Sequence, residues 1–282
     1  MMCGIMSFHK ESARGTLDFK GKVEAAYDVS AETYDDAMRS VMVSCANLLI
    51  RNLQIPENPT VLDVGCGTGI LTFELVKKVQ GKGKFYGIDI SPKMIHSAKA
   101  RAESLGHANV EFRKADAEQL DFLESSFDLV ISNQAFHWFP DKEKALKEMF
   151  RVLKHGGRVA LTFQGWLAFK EMTKAYDRVR NSHPEYGMPD LLRLMSLEET
   201  QELFDRTGFQ RSRIYAIHQV DYVNPSDFRA QRDATASSWR VSLPLEMVEK
   251  AQKEIHTEMA KLITKKGLKT TIYNIFAYAQ KP

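Results

Sequence analysis

The sequence predicts an α/β fold in which a doubly wound, mostly parallel sheet carries helices on both faces. Short β-branched or apolar runs alternate with segments whose apolar residues recur at helical spacing, as in residues 60–64 followed by 70–80. A later run, 127–132 (FDLVIS), is nearly continuous in apolar residues, which is typical of a strand buried on both faces. The 282 residues, 44% hydrophobic and 27% charged, suffice for one large domain with a full core.

The composition also bears on partners and location. No apolar run approaches the roughly 18 residues of a membrane span, and the first residues lack the apolar centre of a signal peptide, so we expect a cytoplasmic protein without membrane contact. A net charge of +3 with interspersed signs lacks the basic stripe of nucleic-acid-binding proteins. The widely spaced Cys3, Cys45 and Cys66 favour neither a disulfide framework nor a zinc site. The expected partner is a small molecule.

The N-terminal residues 1–20 are polar with little periodicity, and we interpret them as a loose leader before a domain that covers residues 21–282. The pattern is helical from residue 20 to residue 53. The first predicted strand, 60–64, follows.

A glycine-rich loop joins this strand to its helix. Gly65, Gly67 and Gly69 permit positive φ and allow a ligand to approach the main chain at a helix N-terminus. Their G-x-G-x-G spacing differs from the G-x-G-x-x-G of dinucleotide-binding loops. Asp63, just before the loop, would repel a pyrophosphate but could hold an ammonium group. Cys66 is either a nucleophile or, as we expect, a small side chain packed beneath the loop.

A second acidic residue narrows the choice of ligand. Residues 83–90 form the second predicted strand, and Asp89 lies 20 residues after Gly69, where an acid binds ribose hydroxyls. The ligand then has a ribose and a positive amino-acid end but no phosphate, and S-adenosylmethionine meets all three conditions. Ser91 and Pro92 begin the next helix as its N-cap and first residue.

Five segments in order resemble a known family. They are VLDVGCGTG (61–69), YGIDIS (86–91), KADAEQL (114–120), FDLVISNQAFHW (127–138) and LKEMFRVLKHGGRVALT (146–162). They are similar to motifs I to V of class I S-adenosylmethionine-dependent methyltransferases. The closest branch contains quinone C-methyltransferases, trans-aconitate methyltransferase and malonyl-carrier-protein O-methyltransferases. The resemblance, dense over roughly 23–163, implies a seven-stranded Rossmann-like sheet and methyl transfer that releases S-adenosylhomocysteine.

The cofactor site follows from the motifs together with the strand ends. Met94 either contacts the adenine, as the resemblance implies, or is a core residue. Asp116 follows the third predicted strand, 109–114, and either accepts from the adenine amino group or is a solvated loop residue. The full set of expected cofactor-binding residues is Tyr34, Asp63, Gly65, Cys66, Gly67, Thr68, Gly69, Asp89, Ile90, Met94, Asp116, Ala117 and Asn133.

The fourth strand, 127–132, delivers residues 133–139 to the same edge, where we expect the chemistry. The cofactor carries the activated methyl group, so the protein mainly aligns the acceptor with it. His137 has the intrinsic pKa of a general base, and the alternative is that it packs beside tryptophan as a polar wall. Members of this superfamily that methylate nitrogen atoms of nucleic-acid bases or glutamine amides commonly carry an N-P-P-Y motif at this place. Residues 133–136 (NQAF) do not match that motif, so the resemblance disfavours N-methylation of amides or bases. The expected acceptor-side residues are Tyr27, Phe136, His137, Trp138 and Trp166.

Tyr27 and Tyr34 belong to YDVSAETYD (27–35), which resembles the N-terminal segment that folds over the cofactor in this family. The alternative is two half-buried tyrosines on an amphipathic helix. Further along, a helix (141–154) and a fifth strand (158–163) complete the motif region.

Beyond residue 164 we predict helices at 166–180, 196–207 and 245–265 and strands at 211–223 and 270–279. The family ends its sheet with a helix, a strand and an antiparallel edge strand. Residues 166–195 and 224–265 are therefore additional, and we expect them to form an inserted helical cap over the acceptor site.

The function that we expect is methyl transfer to an oxygen or carbon atom of a small organic molecule. Three alternatives stay open. The first is a methyltransferase-like protein that binds the cofactor without turnover, as a scaffold or regulator. The second is a methyltransferase acting on a carrier-protein-bound or macromolecular acceptor. The third is a nucleotide-dependent oxidoreductase, which the loop spacing and Asp63 disfavour.

Overall fold

The structure is a computed structural model that describes residues 13–32, 34–188, 194–224 and 243–282. Most of the predicted leader, residues 1–12, lies outside the described residues. Its last residues are not a loose segment, because helix α1 (Ala13–Ser30) begins at Ala13. A second helix, α2 (Tyr34–Arg51), follows. Among the described helices, none is both long enough and apolar enough to cross a membrane.

Eight strands and six α-helices follow α2 among the described residues. They are β1 (Thr60–Val64), α3 (Ile70–Lys78), β2 (Lys84–Asp89), α4 (Pro92–Ser104), β3 (Val110–Lys114), β4 (Phe127–Asn133), α5 (Lys142–Val152), β5 (Leu153–Gln164), α6 (Lys170–Ser182), α7 (Leu197–Thr207), β6 (Gln210–Val223), α8 (Leu245–Ala260), β7 (Ile263–Thr264) and β8 (Gly267–Gln280). The predicted helix 245–265 ends early because Ile263 and Thr264 pair with Leu268 and Gly267 in a tight hairpin.

The strands form one sheet in the order β3-β2-β1-β4-β5-β8-β6, with the two-residue β7 paired to β8. Strands β1 to β5 are parallel, whereas β8 is antiparallel to both of its neighbours. The predicted doubly wound, mostly parallel seven-stranded sheet is confirmed, with β7 as a small addition. Because the strand order reverses between β1 and β4, a crevice forms at their carboxyl ends.

The last strand differs from the expectation of an antiparallel strand at the edge. Strand β8 lies between β5 and β6, and Ile275, Phe276 and Ala277 are buried on its two faces. Strand β6 forms the edge instead, and its side chains are mostly half-buried or exposed. The apolar run of β8 therefore takes the inner position, where both faces are covered.

Helices cover both faces of the sheet, as alternate residues of β1 show. Leu62 and Val64 face a cluster that includes residues of α5 and α7. Val61 faces a second cluster, which is built with α2 and α3. Burial on both sides explains why the central strand β4 is nearly continuous in apolar residues.

The two predicted insertions each contribute a helix to a separate small cluster. Ala175 and Val179 of α6 pack with Ala251 and Ile255 of α8 and with Leu268 of β8. The main chain of this region is tied to β8, since the amide of Phe169 donates to the carbonyl of Thr271 at 2.8 Å. The described cap helices therefore pack against the end of β8 that extends beyond β5.

Candidate active site

A cleft opens at the carboxyl ends of the parallel strands. Its empty volume is about 950 Å³, including the space at its mouth, and it is walled by α1, α2 and the loops that follow β1, β2, β3 and β4. The structure brings to it most of the predicted residues: Tyr27, Tyr34, Asp63, Gly65, Cys66, Gly67, Thr68, Asp89, Ile90, Met94, Asp116, Ala117, Asn133 and Trp138.

The glycine loop is fixed to the end of β2. The amides of Gly65 and Cys66 donate to the carbonyl of Ile88 at 2.8 and 2.9 Å, and the amide of Gly67 donates to Asp89 Oδ2 at 2.9 Å. A Cβ atom on Gly67 would meet nothing within 4 Å, although its φ of +54° favours glycine. The main chain at Gly67 is therefore open to a ligand.

Gly69 does not line the cleft, contrary to our expectation. It is the N-cap of α3 with a φ of +83°. A Cβ atom there would lie 2.6 Å from Phe73 Cε2 and 2.9 Å from Phe112 Cζ. Gly69 thus serves the turn and the packing of α3 rather than the ligand.

Asp63 is a buried carboxylate at the wall of the cleft, with 1% of its surface exposed. Thr72 Oγ1 donates to its Oδ2 at 2.6 Å, while its Oδ1 has no hydrogen-bond partner among the described residues. Burial raises the pKa of Asp63 to about 7, the Thr72 hydrogen bond opposes that rise, and the nearby Asp89 adds to it. A buried acceptor without a donor is costly, so this oxygen is suited to a cationic ligand group.

Asp89 lies at the end of β2, one strand away from Asp63. Its Oδ2 accepts from the Gly67 amide and its Oδ1 from the Ser91 amide, both at 2.9 Å. Burial raises the pKa of Asp89, and these two amides oppose the rise. Each carboxylate oxygen keeps a further lone pair, so Asp89 can also accept from vicinal hydroxyls. Ser91 caps α4 as predicted, because its Oγ accepts from the Met94 amide.

Asp116 is held by residues that the sequence analysis missed. Lys20 Nζ of α1 donates to Asp116 Oδ2 at 2.7 Å and to Glu118 Oε2 at 2.6 Å. The Glu118 amide donates to Asp116 Oδ1 at 2.9 Å. The signal for Lys20 was present, because it precedes Val23 and Tyr27 at helical spacing and all three line the cleft.

Three aromatic side chains form one group in the wall. The ring of Tyr27 lies 6.1 Å from that of Tyr34 and 6.0 Å from that of Trp138, both in edge-on geometry. Burial raises the pKa of the Tyr34 phenol well above its usual value, and the negative charge of Asp89 adds to this. Tyr34 therefore stays a neutral hydrogen-bond donor at physiological pH.

Three expected acceptor-side residues lie elsewhere. Phe136 is fully buried against Phe139 and Phe163, and His137 is 3% exposed; neither lines the cleft. Residues Phe136–Trp138 form a 3-10 turn, in which successive side chains point in different directions, and only Trp138 reaches the cleft. Trp166 is 57% exposed on the surface after β5.

The cap also departs from the expectation. None of the described residues of 166–195 and 224–265 lines the cleft, which α1 and α2 cover instead. The sequence analysis also missed Met42, Gln134, Ala135, Phe139 and Pro140 in the wall. Gln134, Ala135 and Phe139 lie within the segment 133–139 that we had placed at this edge.

Comparison with known proteins agrees with this geometry. Residues 55–218 match a family model described as a methyltransferase domain. The chain is 28% identical to a malonyl-[acyl-carrier protein] O-methyltransferase of Paenibacillus sp. (strain JDR-2), over 88% of this chain and 89% of that protein. It is 29% identical to a demethylmenaquinone methyltransferase of Desulfitobacterium hafniense (strain Y51), over 72% of this chain and 90% of that protein.

A solved structure shares the fold. The YcgJ protein from Bacillus subtilis superposes with a TM-score of 0.61 at 22% identity, covering 84% of this chain and 98% of that one. The family model spans more than half of the chain. The chain therefore belongs to the class I S-adenosylmethionine-dependent methyltransferases and is an enzyme that uses S-adenosylmethionine.

Proposed function

We propose that this enzyme methylates an oxygen or carbon atom of a small, uncharged organic acceptor in the cleft and releases S-adenosylhomocysteine. The observation that carries the proposal is the pair of carboxylates Asp63 and Asp89 at the ends of adjacent strands, with the open main chain of Gly67 between them. When bound, S-adenosylmethionine supplies an activated methyl group on its sulfonium. The residues present fit this cofactor.

Each end of the cofactor would have its own partners. The unpartnered Oδ1 of Asp63 would accept from the amino group of the methionine part, and Asp89 would accept from the ribose hydroxyls. Ile90 and Met94 line the cleft beyond Asp89 and would flank the adenine. Asp116 would accept a hydrogen bond from the adenine amino group while it keeps its ion pair with Lys20.

The charge of the wall supports an uncharged acceptor. Four carboxylates, those of Asp63, Asp89, Asp116 and Glu118, line the cleft among the described residues, whereas Lys20 pairs with two of them. Such a wall repels an anion. The aromatic group of Tyr27, Tyr34 and Trp138 offers an apolar surface for the acceptor.

No histidine lines the described part of the cleft, so His137 is not placed to take a proton from the acceptor. Alignment of acceptor and methyl group is then the main contribution of the chain. A neutral acceptor that is nucleophilic enough to react without a base from the chain, such as an enol carbon, is suited to this arrangement.

Calorimetric titration tests the proposal. Purified enzyme should bind S-adenosylmethionine and S-adenosylhomocysteine with micromolar affinity, and NAD not at all. Asp89→Ala should weaken both by roughly 100-fold, since it removes charged hydrogen bonds, whereas Asp121→Ala on the exposed surface should leave them unchanged. Exclusive binding of NAD would overturn the cofactor assignment, and unchanged affinity of the Asp89 variant would overturn the ribose assignment.

A second candidate is methylation of a carrier-bound carboxylate, which the match along 89% of a malonyl-carrier-protein methyltransferase favours. Transfer of labelled methyl to malonyl-carrier protein should be compared with transfer to neutral enols and phenols. Faster transfer to the malonyl thioester would favour this candidate. Binding of S-adenosylmethionine without transfer to any acceptor would favour a scaffold.

A further inference from the structure

Gln134, the residue directly after β4, has an unusual main-chain conformation. Its φ is +56°, in the left-handed region that residues other than glycine rarely adopt. Its amide donates to the carbonyl of Thr162 at 2.7 Å, so the conformation is fixed from β5. Such a conformation is strained, and residues that retain it cluster at functional sites. The strain directs attention to what the side chain does.

The side chain of Gln134 is held from two sides. Its Nε2 donates to Thr162 Oγ1 at 3.3 Å and to Cys45 Sγ of α2 at 3.7 Å. Both amide hydrogens are therefore committed to the protein, and the carboxamide is fixed between β5 and α2. Its Oε1 accepts no hydrogen bond from the described residues, and Gln134 lines the cleft.

The preceding residue repeats this arrangement. Asn133 Nδ2 donates to the carbonyl of Met42 at 3.1 Å, while Asn133 Oδ1 has no partner among the described residues. Two consecutive carboxamides in the wall thus donate to the protein, and their oxygens have no donor among the described residues. A ligand group that suits these two oxygens is a hydrogen-bond donor.

We propose that Gln134 is a specificity-determining residue, whose Oε1 accepts a hydrogen bond from a hydroxyl or N–H group of the methyl acceptor. This inference rests on the proposed function and narrows its acceptor to neutral molecules that carry such a donor. An analogue without the donor leaves a desolvated carboxamide oxygen unpaired, so it binds more weakly. The pre-fixed carboxamide loses little side-chain entropy on binding, which strengthens the discrimination.

Two probes of similar shape test the inference on enzyme saturated with S-adenosylhomocysteine. 2-Naphthol carries a hydroxyl donor, and 2-methoxynaphthalene lacks one. Ligand-observed NMR titration should give roughly fivefold to tenfold tighter binding of 2-naphthol to the wild type, the size of one neutral hydrogen bond. This comparison needs no variant.

The variant of choice is Gln134→Met, which keeps the length of the side chain but not its carboxamide. In this variant the ratio of the affinity for 2-naphthol to that for 2-methoxynaphthalene should fall to about one, with unchanged affinity for S-adenosylhomocysteine. The matched control is Gln80→Met, because Gln80 has a φ of +55° but lies exposed after α3. It should keep the wild-type preference.

Three results would overturn the inference: equal binding of the probes to the wild type, an unchanged preference in the Gln134→Met variant, or no binding of either probe at millimolar concentration. The proposed function is judged separately in the same samples. If S-adenosylhomocysteine does not bind the wild type, the proposed function fails. If it binds and the probes are not distinguished, only the role of Gln134 fails.

Discussion

The carboxyl group of Asp63 should make the cofactor-free enzyme less stable at alkaline pH. Its pKa in the folded protein is about 7, against an ordinary value of 3.8, because burial disfavours the charged form. Between these two values the folded state keeps a proton that the unfolded state has lost. Stability therefore falls as the pH rises through this range, and the whole penalty is present above pH 7. The rise in pKa from 3.8 to about 7 corresponds to roughly 4 kcal/mol of lost folding free energy.

Asp63→Asn removes this titration while keeping an oxygen that can accept from Thr72. The new amide hydrogens lack acceptors, which offsets part of the gain. We expect the variant to be more stable than the wild type by about 1–3 kcal/mol at pH 8, and about equal to it near pH 5. Thermal unfolding without cofactor should show a higher Tm at pH 8, by roughly 2–4 °C per kcal/mol.

The same change should abolish productive cofactor binding. Wild-type affinity should rise from pH 5.5 to 7 as Asp63 ionises, by up to roughly tenfold per pH unit, and fall near pH 8 as the amino group of the cofactor loses its proton. The coupled carboxylate of Asp89 faces the same site and should broaden the transition. Calorimetry in buffers of different ionisation enthalpy would detect the proton released on binding.

A carboxylate at the opposite end of the sheet provides the control. Partial burial of Asp128 opposes its ionisation, but hydrogen bonds from Lys154 and the Thr60 amide outweigh this and lower its pKa. Asp128→Asn should therefore destabilise the enzyme at pH 8 without affecting the cofactor. If Asp63→Asn gives no gain in stability at pH 8, or the same gain at pH 5, our account of Asp63 is wrong.

Three further predictions concern single residues. Gly67→Ala should keep the enzyme folded but weaken S-adenosylhomocysteine binding at least tenfold by calorimetry, whereas Gly81→Ala, with similar φ and equally open space, should not. His137→Ala should lower the Tm, because the side chain is buried, and should leave the shape of the pH–rate profile unchanged. If the variant loses one limb of that profile, His137 is a general base after all. Lys20→Met should lower the free energy of unfolding, measured in urea, by about 1–3 kcal/mol, because it leaves the buried Glu118 carboxylate without its partner. An unchanged free energy of unfolding would show that the ion pair does not stabilise the fold.

Local signals gave the parts of the fold that the sequence could predict. Strand β1 has the predicted bounds, Thr60–Val64, because a β-branched run ends at a glycine. Ser91 caps α4 as predicted. The helix predicted at 196–207 is α7, and Ser196 and Glu199 form a reciprocal capping box at its start. In each case a few neighbouring residues suffice, so no knowledge of the tertiary structure is needed.

The remaining features depend on contacts between distant residues. Lys20 and Asp116 are 96 residues apart, and their ion pair exists only because α1 lies across the cleft. The direction of His137 depends on a turn whose first residue, Phe136, is drawn into the core against Phe163. The identities of residues 136–138 cannot show which of these neighbouring aromatic side chains reaches the cleft.

The glycine loop shows the same division within one motif. The sequence analysis assigned Gly65, Gly67 and Gly69 the same two purposes, a turn with positive φ and the approach of a ligand to the main chain. Cβ atoms at Gly65 and Gly69 would lie 2.4 Å from Ala135 Cβ and 2.6 Å from Phe73 Cε2, so these two glycines are required by protein packing. Only at Gly67 is the space empty. A loop can therefore be matched to a cofactor from its spacing, whereas the residue that gives access is known only once the neighbours of each glycine are known.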